Sequence, residues 1–221
     1  MARAALELEE PSRDCSHCPR LNAFIGDWRE REPEWFNGPV PTFLPRQGAD
    51  AVRVLIVGLA PGLRGANRTG RPFTGDYAGT LLYGTLTRFG FARGVFDARP
   101  DDGLELVDAA VTNAVRCVPP ENKPVGAEVR TCRERFLAPS LTRFPNLKAI
   151  LTLGTIAHQS TVRALGYPVR QFPFAHGAEQ DAGQLRIFSS YHCSRYNTNT
   201  GKLTEEMFVE VFRSLREYLG Q

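Results

Sequence analysis

The sequence predicts a three-layer α/β/α fold built on a central four-stranded, mostly parallel sheet. Three observations carry this. Short apolar runs alternate with stretches of helical periodicity, the signature of strands joined by crossover helices. The first run, at Val52 to Val57, has the length and composition of a strand buried on both faces. The loops of unusual composition, after Val57, after Val111 and after Tyr191, all follow such runs, and ligands of open α/β sheets bind outside the carboxyl ends of the strands.

In chain order, "DCSHCPRL" sets Cys15 and Cys18 two residues apart, which lets two thiolates from one turn grip one metal centre. The lead before it, Met1 to Glu10, reads as a short amphipathic or frayed segment. Trp28 to Gln47, rich in Pro, Trp and Phe, has little periodicity and reads as an ordered wrap over the core. Gly58 to Gly79 then holds six glycines among Arg64, Arg68, Arg71, Phe73 and Asp76. Glycines free the backbone to approach an anion or a polar base edge, and a connector this far beyond about 2 to 6 residues is typically functional. Gly79 and Thr80 are expected to open an amphipathic helix through Leu81, Leu82, Leu86 and Phe89. A second strand ends near Thr112 and Asn113, followed by Cys117 and a proline-rich turn. "VGAEVRTCRERFLAPSLTRF" reads as one helix carrying Cys132, with Leu137 and Leu141 on its core side. "LKAILTLG" is a third strand with "TIAHQSTVRALG" its helix, and "LRIFSSYH" a fourth strand. A polar loop follows, then a closing helix with Met207, Val211 and Leu215 in register.

Length and composition bound the rest. The 221 residues fit a single domain, 1–221, large enough for its own core. A net charge of +3 points only weakly to an anionic partner, but 24 of the 27 basic residues are arginine, the side chain suited to bidentate phosphate contacts. The same excess also fits a compositional bias. No run approaches the roughly 18 apolar residues of a membrane span and no signal peptide is evident, so a cytoplasmic protein is expected. The glycine loop is neither of the common nucleotide fingerprints. Gly58, Gly62 and Gly65 do not make G-x-G-x-x-G, and Gly201-Lys202 is followed by Leu203 where a phosphate-binding loop needs Ser or Thr.

Cys15, Cys18, Cys117 and Cys132 suggest a metal centre, since disulfides are disfavoured in the cytosol. Zinc and a [4Fe–4S] cluster both accept four thiolates, and spacing does not separate them. His17 is not expected to be a ligand, and Cys193 is read as a free thiol near the pocket.

Three stretches, "GLAPGLRGANRTGRPFTGD" at Gly58 to Asp76, "TNAVRCVPPENKP" at Thr112 to Pro124 and "HCSRYNTNTGKLT" at His192 to Thr204, together with the four cysteines, resemble the family 5 branch of iron-sulfur uracil-DNA glycosylases. The resemblance spans Cys15 to Thr204. It implies a monomeric DNA-repair enzyme acting on DNA that contains uracil or other deaminated bases, with a structural [4Fe–4S] cluster on Cys15, Cys18, Cys117 and Cys132 that staples the N-terminal segment to the domain.

A base inside a duplex is inaccessible, so such an enzyme must extrude the nucleotide into a pocket. Phe73 is the candidate stacking face, and Asn113 offers a donor and an acceptor to the O4 and N3–H of uracil. His192, helped by backbone N–H groups of Gly58, Leu59, Ala60 and Gly62 in the substrate-binding loop that Pro61 shapes, is placed to meet charge building on the departing base. Asp76 is the candidate for orienting water or stabilising the sugar cation, with Asn122 a second holder of that water. Arg68, Arg195 and Asn197, with the Thr198 to Lys202 segment, are candidate DNA contacts. Two departures stand out. Leu59 and Ala60 occupy places where the superfamily often carries a carboxylate or polar residue, which leaves Asp76 the role by default and suggests tolerance of hypoxanthine or xanthine. Cys193 stands where proline is common. The rival readings are a non-catalytic zinc- or iron-sulfur-containing nucleic-acid-binding module and an iron-sulfur electron carrier.

Overall fold

A computed structural model describes residues 9–220, so most of the expected lead segment lies outside the described residues. Its elements are α1 (Pro19–Arg31), β1 (Val54–Gly58), α2 (Ala66–Thr69), α3 (Tyr77–Arg88), β2 (Ala92–Arg93), β3 (Glu105–Leu106), β4 (Ala109–Asn113) and α4 (Gly126–Cys132). A π-helical turn (Arg133–Leu137) follows, then α5 (Ala138–Leu141), β5 (Ala149–Leu153), α6 (Thr155–Ala164), β6 (Glu179–Ala182), β7 (Leu185–Ser190), α7 (Arg195–Asn199) and α8 (Glu205–Tyr218).

The main sheet runs β4-β1-β5-β7-β6, with its first four strands parallel. It has five strands rather than the expected four. The fifth, β6, reads Glu-Gln-Asp-Ala and pairs antiparallel with β7 across a tight turn at Gly183, where φ is +69°. An edge strand that need not bury both faces can be polar, so it leaves no apolar run in the sequence.

Strand alternation splits the core in two. Val54 and Ile56 face a cluster with Leu82 and Leu86 of α3 and Phe208, Phe212 and Leu215 of α8. Leu55 and Val57 face the other side, with Leu137, Phe144 and Ala157 of α6. Both faces of the central strand β1 are therefore covered, which is why it is apolar throughout. The β4 edge is closed by the wrapping segment. Phe43 exchanges both backbone hydrogen bonds with Val111, at 2.9 and 3.0 Å. Further back, the Trp28 and Trp35 rings stack at 5.5 Å.

Three helical expectations change. The helix carrying Cys132 is broken into α4, a π-turn and α5, because Pro139 has no N–H to continue the ladder. α3 starts at Tyr77, earlier than Gly79, because the Asp76 side chain caps it by accepting from the Gly79 N–H. The polar loop after Cys193 contains the short helix α7, whose first turn is capped by Ser194. Among the described residues no helix is long and apolar enough to cross a membrane.

Candidate active site

The carboxyl ends of β1, β4 and β7 bring three separated loops together. β1 and β4 are neighbours, and their register sets Gly58 beside Asn113. A methyl group at Gly58 would lie 2.4 Å from Asn113 Oδ1 and 2.5 Å from Phe73 Cζ, so the missing side chain is what lets these two groups meet. The Phe73 ring in turn stacks on His192, with centroids 5.8 Å apart and planes 24° from parallel. Phe73, Asn113 and His192 thus converge, although 40 and 79 residues of chain separate them (113 − 73 and 192 − 113).

Phe73 holds a positive φ of +54°, a conformation that costs an L-residue energy and persists only when its surroundings enforce it. The enforcement is visible. Arg71 donates through Nε to Thr74 Oγ1 at 2.8 Å, and both its terminal nitrogens donate to Asp102, at 2.8 and 2.6 Å. Tyr83 donates its hydroxyl to the Pro72 carbonyl at 2.6 Å. The absence of a Cβ at Gly79 lets α3 press against the Phe73 carbonyl, which a methyl there would strike at 1.8 Å. Arg71, which the sequence placed among ligand-facing loop charges, is therefore a buried strut. Burial alone would raise the Asp102 carboxyl, but the hydrogen bonds from Arg71 and from the Leu104 and Asp97 amides hold it well below the usual carboxylate range.

In front of this junction opens a cavity of about 600 Å³, lined by Leu59, Ala60, Gly62, Asp76, Asn122, His192 and Arg195 of the predicted set. Gly75, Tyr77, Ala78 and Ser194 line it as well and were not foreseen. Phe73 and Asn113, 6% and 3% exposed, lie behind rather than on the open lining. Gly58 and Pro61 are also buried behind it. Arg68 and Asn197 are not on the lining. The Arg68 guanidinium lies over Gly75, where a Cβ would come within 3.2 Å of Nη2, while Asn197 donates to the His192 carbonyl at 2.8 Å and so positions that residue. Asn197 also lines a smaller adjoining cavity of about 290 Å³ that shares Leu59 and His192 with the first and adds Tyr191, Ile156 and Lys202.

The polar groups differ in how committed they are to the fold. Asn113 and Asn122 make no side-chain hydrogen bond among the described residues, so both amides are available to a ligand. Asn122 sits exposed at φ +58° just after Glu121 at +54°, a doubly left-handed turn. Asp76 is divided: Oδ1 caps α3 at 3.2 Å from the Gly79 nitrogen, and Oδ2 lies over Gly62 and Gly65, whose absent side chains make room for it. Burial pushes the His192 imidazole below its ordinary pKa, opposed by the charge of Asp76, so it is neutral near pH 7. By contrast His158 is hydrogen-bonded through both ring nitrogens, to Phe172 O at 2.8 Å and Ser189 Oγ at 2.9 Å. Arg195 lies over the Tyr77 ring at 5.6 Å and has no ion pair among the described residues. Cys193 is not in the pocket: it is fully buried, with its thiol toward the Ala78 carbonyl at 3.6 Å.

Cys15, Cys18, Cys117 and Cys132 line one small enclosed cavity together with His17 and Arg116. Among the described residues no three Cys, His, Asp or Glu side chains are spaced to hold one metal ion. Burial raises all three of Cys18, Cys117 and Cys132, the last to about 11, and the neighbouring thiolates raise them further. Four ionisable thiols around one closed space fit a cationic group that takes each sulfur at a separate atom. The Arg116 amide already donates to Cys132 Sγ at 3.3 Å. The N-terminal segment is also pinned without any such group, by Arg20 to Glu128 at 2.8 and 2.9 Å.

A family profile described as the uracil DNA glycosylase superfamily matches residues 45–216. The chain is 41% identical over 217 residues to a type-5 uracil-DNA glycosylase of Thermus thermophilus, covering 93% of this chain and 94% of the relative. It is 38% identical to that of Mycobacterium leprae, covering 97% and 95%, and 36% identical to that of Pyrobaculum aerophilum, covering 90% and 87%. On similarity that extends over at least 90% of its length, the chain belongs to the uracil-DNA glycosylase superfamily, in the type-5 branch.

Proposed function

We propose that this chain is a DNA-repair glycosylase that hydrolyses the N-glycosidic bond of uracil in DNA, acting as a monomeric single domain on a nucleotide flipped out of the duplex. The observation that carries the reading is the meeting of Asn113, Phe73 and His192 around Gly58. A flipped uracil would stack on Phe73 and exchange hydrogen bonds with the free Asn113 amide. Breaking the bond moves negative charge onto the base and positive charge onto the sugar. A neutral imidazole donates to the base O2 without bringing a proton that must be given up, and preorganised donors of this kind are commonly worth about 10² to 10³ in rate. Asp76, on the same cavity lining, supplies negative charge for the sugar cation and, with Asn122, positions the attacking water. Arg195 and Arg68 neutralise phosphates at the rim. A lyase step needs an amine nucleophile, and the residues lining the cavity around Asp76 include no lysine, which supports a reaction that stops at the abasic site.

Leu59 and Ala60 leave that part of the wall without a polar test, which extends the reading to hypoxanthine and xanthine. Cys15, Cys18, Cys117 and Cys132 would hold a [4Fe–4S] cluster whose contribution is structural, joining the N-terminal segment to α4.

The test is incubation with an oligonucleotide carrying one uracil, followed by alkaline cleavage of abasic sites. Strand breakage at the uracil supports the reading. Intact strands at stoichiometric protein overturn it, and DNA binding without excision would mark a binding module instead. Broad absorbance near about 400 nm tests the cluster.

A further inference from the structure

A second basic surface lies outside the site just described. Between α4 and α6 runs an open groove of about 520 Å³ with Arg130, Arg133 and Arg163 on its walls and no carboxylate among its lining residues. Helical spacing makes it continuous. Ile156, Gln159 and Arg163 stand at i, i+3 and i+7 on one face of α6, and Arg130 and Arg133 lie three apart at the end of α4. Arg130 and Arg163 are exposed and make no ion pair or side-chain hydrogen bond among the described residues. Arg133, which opens the π-turn, meets Glu134 at 3.2 Å, and Glu128, the acid of α4, is turned inward onto Arg20. Ile156, 41% exposed, lines both this groove and the cavity that adjoins the candidate active site through Leu59 and His192.

We infer that this groove carries the phosphodiester backbone of the DNA strand beyond the flipped nucleotide, an extended phosphate track that Arg130 and Arg163 neutralise. Isolated arginines on a shared apolar floor are costly to leave facing each other, and a polyanion resolves that repulsion. From Ile156 to Arg163 the groove follows α6 for about 10 Å. One strand of B-form DNA carries a charge about every 3.4 Å, so that length accommodates about three phosphates. The inference rests on the glycosylase reading for its substrate, but its test does not need catalysis.

The test measures binding of a uracil-free duplex across a sodium chloride series for the full chain and for Arg130→Ala/Arg163→Ala. Each phosphate contact contributes about 0.9 to the log–log salt slope, so loss of two lowers it by about 1.8, and affinity at low salt falls with it. Arg130→Lys/Arg163→Lys keeps the charge and should keep the slope. On uracil substrates the alanine variant should lose efficiency through KM on a long duplex and match the parent on an oligonucleotide of a few nucleotides. An unchanged slope overturns the track, and so does an equal loss on long and short substrates, which would assign these arginines to the fold or the pocket. A chain that binds DNA with the predicted slopes but excises nothing would refute the proposed function and leave the track standing.

Discussion

Replacing Gly58 by alanine probes the junction of the three loops with the smallest change available. Its methyl would arrive 2.4 Å from Asn113 Oδ1 and 2.5 and 2.8 Å from two atoms of the Phe73 ring, all inside normal contact. Gly58 does not have a positive φ, so the effect is steric rather than conformational. Neither neighbour has slack: the backbone at Phe73 is fixed by the Arg71 and Tyr83 contacts, and Asn113 ends a strand paired residue by residue with β1. Overpacking of this kind costs about 1 to 3 kcal/mol. If that cost falls on groups that must be in place to hold the base, kcat/KM drops by about 5- to 150-fold, at about 1.4 kcal/mol per factor of ten. Gly62→Ala provides the scale. Its methyl would meet only Asp76 Oδ2, at 3.2 Å, so its loss should be smaller. The assay is steady-state excision from a single-uracil oligonucleotide, with circular dichroism to confirm that the sheet persists. Parental kcat/KM in Gly58→Ala, or a larger loss in Gly62→Ala, would refute the packing argument.

Asn113→Ala should lower kcat/KM by about 10- to 100-fold, equivalent to one or two lost hydrogen bonds to substrate, while shifting the melting temperature little, because the amide bonds to no described residue. A large fall in melting temperature with unchanged activity would reverse that assignment. Asp76→Asn keeps the oxygen that caps α3 but removes the charge, so activity should fall with stability preserved; Asp76→Ala should in addition lose about 1 kcal/mol of stability in denaturant titration. Equal activity in Asp76→Asn and the parent would leave Asp76 only its capping role. Stability should also fall as pH is lowered from about 7 to about 5. His192, His158 and His176 are all held below their ordinary pKa by burial, so the unfolded chain takes up protons near pH 6.5 while the folded chain does so only at lower pH. A melting temperature that stays flat or rises over that range would contradict the buried, neutral imidazoles.

The parts of the fold that could be read from sequence are those whose physics is local. β1, β4, β5 and β7 are largely buried and each carries an apolar run, so they announce themselves, whereas β6 at the polar edge does not. The start of α3 is hard to read from sequence because the cap at Asp76 is a side-chain contact rather than a hydrophobic signal, and the break after α4 has its local cause in Pro139. The convergence of Phe73, Asn113 and His192 was legible because Asn113 ends a strand, His192 closely follows one and Phe73 sits in the long loop that leaves β1, and parallel strands put their carboxyl ends on one side. Arg71 was misjudged because its partner, Asp102, is 31 residues away and nothing local marks the pair. Tyr77 follows a cap and Ser194 is one, and caps look like ordinary polar turns until the helix they start is seen.

The most direct measurement of the central claim is a crystal structure of the protein with abasic-site DNA and free uracil. The account predicts the uracil ring against Phe73, its O4 and N3–H on the Asn113 amide, its O2 toward His192, and Asp76 on the sugar side. Uracil bound elsewhere, or a pocket in which Asn113 and His192 face different molecules, would contradict it.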